Sequence, residues 1–529
     1  MKFRRAIALA ASTGVLSGCP SQPSESPDDG GVGPSEGSGQ SASASPEVIA
    51  PTGGDCVHRG GGTDYAVGPG KKYPSIGDVP FETLKAGDTV RIHHRKEPYR
   101  EKLMIGGLGT AAQPIRICGV PGPAGELPVI DGKDATTRRQ LDFPFDGHQV
   151  RGLVIVGHPH DKPYDQTPSH IVIEGLEVRN ASPPNEFTDR AGKKAAYSEI
   201  VAGIFVERAK DLTIRGCIVT DNNNGIFIGT GGGPALSQNI LIESNYIHHN
   251  GSLTRHYEHN VYNEGSNVVY QFNRFGPPRK GQNGQWGANI KERSAGVVIR
   301  HNFIEDGAHL IDLVDAQEAK DTTRSMASFH VSHVYGNVLI RGASPDGSMI
   351  HYGGDSGIFA DYRKGTLFFY NNTVVVKNAG YKDWAANAIF ELSTNEEKLD
   401  SRNNVYWSEK PADSLHALGL FGARDAVTSG VATFSGDWLA IGITADDRTE
   451  GKQTEIRLSL TGLDKQKRGS APGFRDAAND DYAIATPPTT PVPLSPEIAP
   501  ELWPRAAYLK HQRGKARKDE TLTVGAPLE

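Results

Sequence analysis

The chain reads LTIRGCIVTDN at residues 212–222, ILIESNYIHHN at 240–250 and VVIRHNFIEDG at 297–307. Each segment is an apolar strand pattern, a turn, then a second short apolar strand. The same form returns in VVYQFNRFG (268–276), HVYGNVLIRG (333–342), LFFYNNTVVVKN (367–378) and LDSRNNVYWS (399–408). Cys217 holds the turn position in the first segment, and Asn245, Asn273, Asn302, Asn337, Asn372 and Asn404 hold it afterwards, at spacings of 28, 28, 29, 35, 35 and 32 residues. Such a period, with β-branched strands, Gly/Asn turns and no helical pattern between them, predicts a solenoid of stacked β-coils. One coil alone cannot bury its inward side chains; stacking supplies the core. The asparagines at one corner can satisfy turn backbone groups and one another, so this column is structural.

Here the sequence resembles the right-handed parallel β-helix superfamily of pectate-lyase-like proteins, over residues 65–529. Its front, YPSIGDVPFETLKAGDTVRI (73–92), GTAAQPIRICGVPG (109–122) and PVIDG (128–132), looks like the capping segment and first coils of polysaccharide-acting members. Its end, APGFRDAANDDYAIAT (471–486) and TLTVGAPLE (521–529), looks like closing coils. The resemblance implies an all-β fold, a single parallel β-helix with an N-terminal cap over residues 56–529. The less regular stretch 410–463 is expected as an insertion or lateral cap. The same solenoid carries several chemistries, so function must be argued from a site.

Each coil has another short strand upstream of its asparagine segment. Set in register these are GIFIG from Gly225, HNVYNEG from His259, GANIKERS from Gly287, HLIDLVDA from His309, SMIHYGGD from Ser348 and AIFELS from Ala388. Placing Val261, Ile290, Ile311, Ile350 and Phe390 inward leaves Tyr262, Lys291, Asp312, His351 and Glu391 in one outward column. Glu264 and Arg293 follow two residues on, and Asn260 and Asn289 precede by two. The outer coils offer Phe227 and Val206 at that column. A one-residue slip would bury unpaired cations, which argues for this register.

A cluster of Tyr, Lys, Arg, Asp, Glu, His and Asn on middle coils fits β-elimination from a uronic-acid polysaccharide. That step removes a proton next to a carboxylate, so it needs a base and positive charge on the carboxyl group. By resemblance to β-helix lyases, Lys291 is the base, Arg293 the carboxylate clamp, and Tyr262 or His351 the donor to the leaving oxygen. Ca²⁺ is the implied cofactor, with Glu264, Asp312, Asn260 and Asn289 as oxygen ligands. Asn260, Asn289 and Trp286 are the substrate-binding candidates, Trp286 as a sugar-stacking platform. Asp312 beside Lys291 favours the charged amine; without a metal on Asp312, Tyr262 becomes the better base and both cations neutralise. The alternatives are a glycoside hydrolase, a C5 epimerase, a glycan-binding or structural solenoid without turnover, and a plain surface ladder pairing Lys291 with Asp312 and Arg293 with Glu264.

The remaining features set the context. MKFRRAIALAASTGVLSGC (1–19) has a basic tip and an apolar run, the form of an export signal, and Leu16 to Cys19 resembles a lipobox. This implies cleavage after residue 18, lipidation of Cys19, and a Ser/Gly/Pro tether over 19–55 too polar to fold. The expected location is the cell envelope, lipid-anchored at the outer membrane or cell surface. A net charge of −6 over 529 residues offers no basic face for nucleic acid. The expected partner is an acidic polysaccharide, bound by a monomer. Cys56 and Cys118 can pair in an oxidising envelope, and Cys217 lies on an apolar pattern. The histidines of HHNGSLTRHYEHN (248–260) lack zinc-site spacing.

Overall fold

The computed structural model describes residues 48–49, 56–141, 143, 146–282, 284–343, 346–377, 388–394, 396–409, 419–421, 431–446, 459–517 and 522–529. Residues 1–18, Cys19 and most of the tether lie outside the described residues. Among those described, three parallel sheets of 13, 11 and 11 strands run the length of one right-handed parallel β-helix. Each middle coil contributes one strand to each sheet, and its strands pair with their counterparts in the coils before and after.

Local sequence dictates the corner between the first two sheets. The residue before each ladder position takes a left-handed conformation: Gly216, Ser244, Phe272, His301, Gly336, Asn371 and Asn403 have φ between 52° and 67°. That bend turns the next side chain inward. The Oδ1 of Asn302 accepts both the backbone N–H and the Nδ2 of Asn273, at 3.0 and 2.9 Å, and Asn302 donates in the same way to Asn337. The ladder runs from Cys217 to Asn404, as its spacing predicts. Stacks of Ile, Val and Leu fill the interior beside it, with Val261, Ile290, Ile311, Ile350 and Phe390 fully buried.

The ladder ends on an acid. Asp437 Oδ1 accepts the N–H and Nδ2 of Asn404 at 2.7 and 3.0 Å, and burial pushes its pKa from 3.8 to about 7. Because the folded value exceeds the unfolded one, the protonated form stabilises the fold; this contribution is full below 3.8 and is lost progressively until the pH passes about 7. Asp437→Asn supplies a neutral amide in the same place. Thermal unfolding should show little change near pH 3 and a stabilised variant at pH 7 and above, by up to about 4 kcal/mol at about 1.4 per pKa unit. Parallel pH profiles for the two proteins would contradict this.

Two expectations about the C-terminal half change. Strands Gly419–Phe421, Val431–Ser435, Trp438–Ala440, Thr444–Asp446 and Ser459–Thr461 take places in the three sheets, so the described parts of 410–463, the stretch expected as an insertion or lateral cap, continue the coils; the rest of it lies outside the described residues. The end of the chain does not close the helix. Phe474–Asp476 pairs antiparallel with Asp481–Ile484, and Ala506–Leu509 with Arg513–Ala516. Tyr482, Ala506 and Tyr508 pack on Phe303, Val338, Ile340 and Val375, covering the outer face of one sheet. Alternation explains it: these apolar outward positions need a cover that the coils do not supply. At the front, Cys56 and Cys118 form a disulfide. Cys217 is free and buried, which pushes its thiol up to about 12.

Candidate active site

The outward column is present in the expected register: Tyr262 pairs with Lys291, Lys291 with Asp312, Asp312 with His351 and His351 with Glu391. One coil outward, Phe227 stacks on Tyr262 with ring centroids 4.8 Å apart, and Phe205 stacks on Phe227. Val206 is in the core and Phe205 holds the outward place, because Val206 pairs with inward Ile228. Tyr262, Lys291, Arg293, Asp312 and His351 line a cleft of about 460 Å³.

The two cations are not solvated. Lys291 and Arg293 are 7% and 4% exposed and form the cleft floor. Lys291 Nζ donates to Asp312 and to Asp355, each at 2.5 Å. Arg293 donates to both oxygens of Asp355 at 3.1 Å and to the Asp315 carbonyl at 2.5 Å. The expected Arg293–Glu264 pair is loose, at 3.8 Å. Asp355 is thus a carboxylate held between an ammonium and a guanidinium, with a third of its side chain exposed. Burial opposes its charge, but Lys291 and Arg293 outweigh burial and hold its pKa low.

Asp312 carries the second half of the network. Its other oxygen accepts from His351 Nδ1 at 2.8 Å, and His351 Nε2 lies 2.7 Å from Ser393 Oγ. Burial disfavours the Asp312 charge, but Lys291 and the neighbouring histidines hold its pKa well below the usual value. Burial likewise opposes the His351 charge, but Glu391 and Asp312 outweigh it and raise its pKa. His309 differs: its Nδ1 is 2.7 Å from the Ser348 carbonyl, which can only accept, so the lone pair is on Nε2. Burial lowers its pKa, so it is neutral at neutral pH. Tyr262 keeps its proton: burial and then Glu264 raise its pKa, and its hydroxyl donates to Glu264 at 2.7 Å.

Several expected residues have other tasks. Asn260 and Asn289 are fully buried, and Asn260 Nδ2 donates to Asn289 Oδ1 within a second ladder that begins at Asn222 and Asn250. Expected to bind substrate, they are instead fully buried, and neither lines the cleft. Glu264 is completely buried, accepts from Tyr262 and from the Gln317 and Glu318 N–H groups, and is pushed by burial up to about 8. The four expected Ca²⁺ ligands therefore do not converge, and no oxygen shell for Ca²⁺ forms from them. His309, Asp312 and His351 do bring ligand-type atoms within 4.8 Å of one another. That mixed nitrogen and oxygen set, already joined by hydrogen bonds to Lys291 and Ser348, is not the donor set of a hard cation either. Trp286 lines the cleft but is only 8% exposed, whereas Tyr257 on the same wall is 65% exposed and is the ring open to a sugar.

No family model matches the chain, and no curated protein matches it. Solved structures resemble it at low identity. An alginate lyase from Paenibacillus sp. str. FPU-7 is 13% identical with a TM-score of 0.40, over 61% of this chain and 89% of that one. Pectate lyase Pel9A is 12% identical with a TM-score of 0.40, over 90% and 98%. A tailspike protein of E. coli bacteriophage HK620, in complex with a pentasaccharide, is 10% identical with a TM-score of 0.43, over 73% and 59%.

Proposed function

We propose that the protein is a polysaccharide-acting enzyme that cleaves a uronate-containing chain by β-elimination. The observation that supports this most is the grip of Lys291 and Arg293 on the Asp355 carboxylate, at 2.5 and 3.1 Å. A site that holds one carboxylate this way can hold a uronate carboxylate and stabilise the charge that develops when the adjacent proton leaves. Lys291 is a neutraliser in this scheme and not the base, since two of its protons point at carboxylates. His309 is the base, through its Nε2 lone pair. Tyr262, which retains its proton, donates to the leaving oxygen.

Hydrolysis has one observation in its favour: Asp312 and Asp355 both touch Lys291 Nζ, so their oxygens are at most about 5 Å apart, near the spacing of retaining glycosidases. Both acids are held ionised, however, and neither can serve as the protonated general acid.

Incubation with a panel of uronic-acid polysaccharides tests the reading. New ultraviolet absorbance from a conjugated double bond is the expected result; new reducing ends without absorbance indicate hydrolysis, and retention without products indicates a binder. The pH profile tests the base. Burial lowers the His309 pKa below its ordinary 6.5, so the acid limb of kcat/KM should have its midpoint below that value. His309→Gln should abolish that limb and lower kcat by about 10²-fold or more. A limb unchanged in His309→Gln would assign the base elsewhere.

A further inference from the structure

The geometry points to a second catalytic group at the edge of this cleft, behind His351: Ser393, His351 and Asp312 form a nucleophile, base and orienting acid for hydrolysis of O-acyl esters on the bound glycan. Nothing in the elimination scheme uses Ser393. It is partly exposed at the end of strand Ala388–Leu392, one coil beyond His351. Its Oγ is 2.7 Å from His351 Nε2, and His351 Nδ1 is 2.8 Å from Asp312 Oδ1. A carboxylate oxygen can only accept, so Nδ1 carries a proton, and when the ring is neutral its Nε2 lone pair faces the hydroxyl. That is the tautomer an activated serine requires. Asp312 is kept ionised by Lys291 at 2.5 Å, so it can orient the ring and stabilise the imidazolium without taking its proton.

The loop opposite is shaped to this oxygen. The Gly354 N–H is 3.0 Å from Ser393 Oγ, where it can turn to the carbonyl oxygen of an incoming ester. A Cβ at Gly353, whose φ is 143°, would come within 2.4 Å of Ser393 Oγ, and a Cβ at Gly354 would strike the Tyr362 ring. The two glycines let backbone approach the serine where any side chain would cover it. Oγ has a second acceptor, the Gly354 carbonyl at 3.1 Å, and the shorter bond is to His351.

The step balances with water alone. Ser393 Oγ attacks the acyl carbon as its proton passes to His351 Nε2. The acyl C–O bond to the sugar breaks, and the sugar hydroxyl leaves with that proton. Water, activated by the same nitrogen, then cleaves the acyl-serine and releases the carboxylic acid. The glycan substrate rests on the functional reading above, but the chemistry can be tested apart from it.

A fluorophosphonate probe and an aryl acetate report on the serine without any glycan, while elimination is followed by absorbance. The probe should label Ser393 in the intact protein, found by peptide mass mapping, and should fail on Ser393→Ala and His351→Asn. Ser393→Ala should lower acetate release, from the aryl ester and from an O-acetylated uronate polysaccharide, by about 10³-fold or more. Its elimination rate and unfolding midpoint should stay unchanged, which shows that it folds. No labelling of a folded protein, labelling at another residue, or acetate release unaffected by Ser393→Ala would overturn the proposal and leave Ser393 as a structural pin for Gly354. Loss of elimination in the intact protein with ester hydrolysis retained would sink the lyase reading alone.

Discussion

Arg293→Ala is expected to lower kcat on a uronate polysaccharide by about 10³-fold, the scale found when one preorganised charge-stabilising donor is removed. Arg293 is 4% exposed, grips both oxygens of Asp355 and ties the cleft floor to the Asp315 carbonyl. Its removal takes away a fixed cation where charge develops, in a site where water screens little. Lys291→Met should have a comparable effect, because Asp312 and Asp355 then face each other across an uncharged gap. Arg293→Lys separates charge from geometry: it keeps the cation and loses the planar fork, so it should recover only part of the rate. Steady-state kinetics with circular dichroism on each variant checks this. An Arg293→Ala protein that folds and retains a tenth of wild-type kcat would exclude Arg293 from transition-state stabilisation.

Asn302→Leu is expected to be the most damaging single change to the fold outside the disulfide. It removes the acceptor for the Asn273 N–H and Nδ2, and the donors to the Tyr270 and Arg300 carbonyls and to Asn337 Oδ1, all buried except the partly buried Arg300 contact. Each buried group left unpaired costs about 1–3 kcal/mol, so a loss of about 4 kcal/mol or more is expected from denaturant unfolding. That is a large part of the stability of an ordinary domain. A loss below about 1 kcal/mol would mean that the asparagine column only fills space.

The ladder was legible in the sequence because each coil repeats the same local demand: a left-handed residue followed by a side chain that can donate and accept. Strand phase was legible for the same reason, since Val261, Ile290, Ile311 and Ile350 alternate strictly with Tyr262, Lys291, Asp312 and His351. Alternation says nothing beyond the ends of a strand. Asn260 and Asn289, read as outward by counting back two residues, turn inward where the strand begins. Asp355, Asp315 and Ser393 lie past strand ends, and Asp355 reaches the cleft with the other two behind its network, through turns whose path no periodicity specifies. His309 stands three residues before Asp312, as His259 does before Tyr262. Extending the column reading by one more place would have found both. The strands described within 410–463 were not legible because their coils lack the asparagine marker, which passes to Asp437.

In the proposed scheme this cleft breaks a glycosidic bond by elimination, with two buried cations neutralising a uronate carboxylate. Digestion of a uronate polysaccharide in water enriched in heavy oxygen, followed by mass spectrometry of the oligosaccharides, tests it most directly. Elimination adds no water, so the account predicts unsaturated products without heavy oxygen, formed by wild type and not by Arg293→Ala. Saturated products that each carry one heavy oxygen would contradict it.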